Sequence, residues 1–260
     1  MAQDAQETSQ PAPGSALFPA VRRRPTPADV GRLAAERVRL SPGTHIWLLI
    51  LAVTSVIAEG MSPGLRIGVL HSISTNLVEL HRHPIRVLVA SAFWTEPPSG
   101  FFFYALLFEL VHATAERWLG TARWLLVAAT AHVGATLVSQ KAVFFGIRDD
   151  RLPRSLAHTI DIGVSYGLAG VVGVLAYRVP RPWRWGYLAV VLAFFASPVF
   201  DGGTFTDLGH LSAVLIGLCC YAVTPPTPTR AAPASASTRS AAARRAGGGP
   251  ARCRPRRWRR

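Results

Sequence analysis

Six separate runs of mostly apolar residues, each 17 to 21 long, divide the middle of this 260-residue chain. A helix that crosses a bilayer needs about 20 such residues, with a range of roughly 17 to 25. Backbone N–H and C=O groups find no partner in hydrocarbon, so runs of this length are confined to helices that satisfy them internally. The runs are 45–61, 99–115, 122–139, 157–177, 184–200 and 205–224. Together they predict an all-α, polytopic membrane protein built as a bundle of six transmembrane helices. In the first run, Glu59 and Gly60 end the strongly apolar stretch early. Pro84–Trp94 is apolar but too short to span, and reads as an interfacial or re-entrant piece of the first loop.

The net charge of +14 belongs to one end of the molecule. Residues 1–43 and 44–224 each balance to +2, whereas 225–260 hold ten arginines and no acid. The folded region is therefore near neutral, and no nucleic-acid partner is expected. Residues 1–43 read as a disordered cytoplasmic tail, 44–224 as the membrane domain and 225–260 as a second disordered tail. Both tails lack the apolar residues that offset ordering entropy. The first 43 residues contain no signal-peptide core, so targeting falls to an uncleaved first helix. Arginine and lysine in short loops mark the cytoplasmic side. Eleven lie with the N-terminus and the even loops, seven on the opposite side, which places both termini inside a cell membrane. Arginine outnumbers lysine 27 to 1, a bias that points to a GC-rich, bacterial source. The three cysteines show neither a disulfide framework nor a metal-ligand spacing.

Ionisable groups inside a membrane are costly and are candidates for function. Here they are Glu109, His112, His132, His158, Asp161, Asp207 and His210. Glu109 and His112 form one E-x-x-H; di-iron bundles need two such motifs and two further glutamates. A second motif is missing, so neither a metal nor a cofactor is expected.

Ser165 and His210 form a sharper pair. The fourth and sixth helices run in the same direction, with Ser165 about eight residues into one and His210 about five into the other. At 1.5 Å per residue both lie on the order of 10 Å below one surface. Ser165, Ala169 and Gly173 share a face, as do His210, Ala213 and Gly217, and small residues at such spacing allow close helix approach. Val172 and Val214 fall off these faces and are expected to accept leucine. The arrangement suits Ser165 as a nucleophile with His210 as its base.

With these residues in place, the chain over roughly 44–224 resembles the rhomboid family of intramembrane serine proteases. "GVSY" at Gly163–Tyr166 is similar to the family's G-x-S-x at the head of helix four, and Gly173 matches a glycine eight residues later. "GHLSAVLIG" at Gly209–Gly217 resembles A-H-x-x-G-x-x-x-G, with Gly209 and Ala213 as small-for-small departures. "ERWLG" at Glu116–Gly120 resembles E-x-x-x-G at the end of helix two. The resemblance implies a Ser165–His210 dyad that cleaves transmembrane substrates. Other features depart from the pattern. Tyr166 replaces the usual glycine, the first loop lacks an obvious W-R motif, and the helix-two positions of two oxyanion-binding residues hold Gly100 and Tyr104. Tyr104, His112 or backbone amides would then have to bind the oxyanion. Three readings follow: a protease, an inactive relative that binds membrane clients, and a small transporter built on Glu109, His112 and His132.

Overall fold

The computed structural model describes residues 26–96 and 100–226, and these form an all-α membrane bundle with no strand among them. Four helices are long and apolar enough to cross a membrane: α2 (Pro42–Glu59), α8 (Thr121–Arg148), α10 (Arg181–Phe200), and α11 (Phe205–Cys219) with the 3₁₀ turn that extends it to Val223. The second expected run is one helical path in three pieces, α6 (Phe101–Leu107), a π-helical turn (Phe108–His112) and α7 (Ala113–Leu119). The fourth run is shorter than expected. Only α9 (Val164–Leu175) is α-helical, about 18 Å long at 1.5 Å per residue, preceded by a 3₁₀ turn at Arg154–His158.

Local chemistry fixes these boundaries. Proline stands in the first turn of α2 and α10, where its missing N–H is no loss. Thr204 and Asp207 form a reciprocal capping box that starts α11. Gly120, with φ +82°, makes the turn from α7 to α8, a backbone region that favours glycine. Beside it Glu116 is buried, and its carboxylate accepts from the Gly43 and Thr44 amides and the Thr44 and Thr121 hydroxyls at 2.7–2.9 Å. The ERWLG motif thus caps α2 while it joins α7 to α8.

Residues 1–25 and 227–260 lie outside the described residues, and with them most of both expected tails. Within the expected N-terminal tail, Pro27–Leu40 form an ordered helix, α1, started by a Thr26–Asp29 capping box. That box satisfies first-turn amides locally, without needing a core. The first loop contains α3 (Pro63–Ile73), α4 (Leu77–Arg82) and α5 (Pro84–Ala90), followed by a 3₁₀ turn at Ser91–Phe93. This last stretch is fastened to α2: Trp47 Nε1 donates to the Ala92 carbonyl at 2.9 Å and the Thr54 hydroxyl to the Phe93 carbonyl at 2.7 Å.

The core sits where α8, α9 and α11 meet. A Cβ on Gly173 would strike the Val214 carbonyl, one on Gly217 the Gly170 carbonyl, and one on Gly170 the Ala131 methyl. The close approach expected of α9 and α11 is present, but its register differs. Gly170, absent from the expected stripe, carries it together with Gly173, against Ala213, Val214 and Gly217. Ala169 sits in a buried cluster with Ala131 and Ala135 of α8, Val191 of α10 and Ala213 and Val214 of α11. Val214 is fully buried at the crossing, so the expectation that it accepts leucine is corrected.

Candidate active site

Ser165 Oγ and His210 Nε2 are 2.8 Å apart. The sequence placed both residues well inside their helices, and α9 in fact begins at Val164, so Ser165 lies in its first turn. The reason is Asp161. Its backbone N–H donates to the Ser74 hydroxyl at 2.7 Å, and its carbonyl accepts from the Thr75 amide at 3.0 Å, which hold the chain before Gly163 out of helical geometry. First-turn N–H groups have no acceptor within their own helix. Those of Val164 and Ser165 therefore stand unpaired by helix geometry next to the hydroxyl.

Tyr166, read as motif support, is fully buried behind the pair. Its hydroxyl donates to the Asp161 carboxylate at 3.0 Å, and its ring meets the His210 ring at a centroid distance of 5.1 Å and 68°. Gly209 makes this possible, since a Cβ there would lie 2.6 Å from the Tyr166 ring. Asp161 also accepts from Gln140 and Thr75 at 3.3 Å. Asp161, Gln140, Ser74 and Thr75 were not singled out together from the sequence. They come from three distant stretches, and only the polarity of each inside an apolar region hinted at them. His132 is a further support: its Nδ1 is 3.0 Å from the Gly163 carbonyl, directly before the serine helix.

Ser165 and His210 open onto a cleft of roughly 460 Å³. Its walls are Phe103, Tyr104 and Leu107 of α6 and Phe194, Phe195 and Pro198 of α10, and Asp207 also lines it. Tyr104 thus faces the same space as the pair, as an oxyanion donor would need to. His112 does not. It is buried on the other side of the helix, stacked on Phe108 at 4.1 Å, and its Nδ1 accepts from Trp124 Nε1 at 2.9 Å. The π turn explains the correction: its wider winding parts two residues that an α-helix would leave on one face. Glu109 turns the other way, to His45 Nε2 at 2.9 Å, so the E-x-x-H pair does not converge. Gly100 begins the approach to α6 and is not part of the cleft wall.

A serine hydroxyl on an imidazole nitrogen, beside helix-end amides and in an apolar cleft, is equipped for acyl transfer. No curated protein and no solved structure matches the chain. A family model described as Rhomboid-like protein matches residues 36–230, about three quarters of the chain, and the chain belongs to that rhomboid-like family.

Proposed function

We propose that this protein is an intramembrane serine protease of the rhomboid type, acting on transmembrane protein substrates through Ser165 and His210. The observation that carries the reading is the 2.8 Å contact between the two side chains at the floor of the cleft. With its proton on Nδ1, His210 accepts the Ser165 proton at Nε2 as Oγ attacks the carbonyl carbon of the scissile bond. The oxyanion then forms within reach of the first-turn amides of α9, with Tyr104 as the nearest side-chain candidate. His210 returns the proton to the leaving amine, and water repeats the sequence to release the acyl group. The walls of Phe103, Leu107, Phe194 and Phe195 suit an apolar, unwound substrate segment. The protein sits in the cell membrane with both termini cytoplasmic.

One observation favours a second reading, an inactive relative that binds membrane clients. Gly100 and Tyr104 stand where the family pattern has two oxyanion-binding side chains, and one such donor supports roughly 3 to 4 kcal/mol of transition-state stabilisation. The transport reading has less support: Glu109, His112 and His132 are bound to His45, Trp124 and backbone carbonyls respectively, three separate settings. The deciding test is reaction of the purified protein with a mechanism-based serine-hydrolase probe, read by mass at Ser165. A covalent adduct at Ser165 supports the protease. No adduct, together with retention of transmembrane proteins by pull-down, supports the client-binding relative.

A further inference from the structure

Helix α1 is ordered without a core of its own. None of its residues is buried, yet Val30, Leu33, Val38 and Leu40 are between 45% and 58% exposed. Val30, Leu33, Ala34 and Val38 follow the i, i+3, i+4, i+8 spacing of one helical face, with Arg37 at i+7 inside it. Arg32, Glu36 and Arg39 lie around the other side. Such a stripe on a helix dissolved in water would be a liability, so its surroundings decide its meaning.

Two contacts fix where the helix lies. Ser41, with φ −145° and ψ 61°, bends the chain between α1 and α2, a spanning helix. Arg37 then comes within 3.9 Å of Glu109, the same carboxylate that His45 holds. Glu109 is about 10 Å deeper along its helix than Glu116, which caps the start of α2. Helix α1 therefore leans back across the flank of α7, against which it packs, and does not project from the bundle. Leu106 and Leu110, on the same helical path, are 58% and 60% exposed, an apolar flank of the kind that faces lipid. The segment 22–39 also carries six arginines against two acids. Of these acids Asp29 is engaged by the Thr26 cap and by Arg32.

We propose that α1 is an interfacial helix that binds anionic phospholipid, with Val30, Leu33, Val38 and Leu40 among the acyl chains and Arg32 and Arg39 on headgroup phosphates. An apolar face with basic residues on the polar side is the pattern of helices that lie in the plane of a membrane. Through Arg37 and Glu109 the lipid-bound helix is joined to the π turn that directly follows α6, a wall of the cleft. The proposal does not depend on catalysis at Ser165.

The test uses the full-length chain with Cys219, Cys220 and Cys253 replaced by Ser and a nitroxide on Leu33→Cys or, separately, Glu36→Cys. The protein is reconstituted into vesicles of phosphatidylcholine alone or mixed with phosphatidylglycerol. Accessibility is read with oxygen, which concentrates in lipid, and with a water-soluble nickel chelate. In mixed vesicles the Leu33 label should be open to oxygen and closed to nickel, and the Glu36 label the reverse. Addition of phosphatidylglycerol should lower nickel access at Leu33 about fivefold, in line with the energy of an arginine near an anionic surface. Arg32→Gln combined with Arg39→Gln should erase that response. Nickel access at Leu33 equal to that at Glu36 would overturn the proposal. Exclusion of both reagents would mean that protein, such as a second copy of the chain, covers the face, and would overturn it equally. A phosphatidylglycerol response unchanged by the two arginine replacements would remove the headgroup assignment.

Discussion

Helices α9 and α10 are consecutive in the chain and opposite in character. Nine of the twelve residues of α9 are buried, against Val191 alone among the twenty of α10. Three of the twelve in α9 are glycine, and it threads between α8 and α11 at backbone contact. Helix α10 keeps Trp183, Trp185, Val190 and Phe200 outward. It is tied near its start, where Arg184 donates to the Ala176 and Tyr177 carbonyls at 3.0 Å and Tyr187 to the Val172 carbonyl at 2.7 Å. Its later part touches the cleft through Phe194, Phe195 and Pro198. The lesson is one of division. The half that holds Ser165 and His210 is close-packed, while the wall that faces them is hydrogen-bonded near its start and otherwise packs through side chains.

The most severe way to break this comparison is at the floor of the cleft. If Ser165 and His210 act as one unit, Ser165→Ala and His210→Ala should each remove probe labelling and substrate cleavage, a loss of roughly 10³-fold or more. The double variant should lose little beyond the worse single one, because residues that act as a unit are not additive. Cleavage that survives Ser165→Ala would end the protease reading and leave the fold untouched.

Packing tests the two halves directly. Gly217→Leu and Val214→Leu push bulk into the α9–α11 crossing and should cost about 1 to 3 kcal/mol or more of stability. Phe200→Ala and Val190→Ala on the outward face of α10 should fall within about 0.5 kcal/mol of the parent. Unfolding in mixed detergent micelles reads all four. Equal losses in the two helices would erase the distinction between a tight half and a loose one.

Two polar anchors give the smaller effects. Glu116→Ala leaves the Gly43 and Thr44 amides buried without their acceptor and should destabilise by about 1 to 3 kcal/mol, with Glu116→Gln recovering part of the loss. A neutral result would show that water replaces the carboxylate at the start of α2. Tyr166→Phe removes only the hydroxyl that meets Asp161, and should cost about 1 kcal/mol. It should leave Ser165 labelling near the parent rate, since the ring against His210 remains. A labelling rate that collapses in Tyr166→Phe with the fold intact would show that the Asp161 link matters to the dyad itself.

Much of this architecture is written in the residues one at a time. Six apolar runs, the proline starts of α2 and α10 and the Thr204-x-x-Asp207 cap follow from local rules, because a helix in lipid must satisfy its own backbone whatever surrounds it. The serine and histidine stood out for the same reason, as polar groups in apolar runs. Where α9 begins was not legible, because Asp161 is held by Ser74 and Thr75, some 86 positions away. Which small residues meet was equally hidden. Gly170, Gly173 and Gly217 differ little in sequence terms, and only the relative rotation of two helices selects among them. The π turn that sends His112 to Trp124 and Glu109 to His45 breaks the very periodicity from which a common face was inferred. By itself, then, the sequence determined an all-α membrane bundle and the chemical identity of its candidate dyad, both consequences of local hydrophobicity. The tertiary structure alone decided the register, the partners of each buried polar group and the cleft they share, since each of these depends on contacts between segments far apart in the chain.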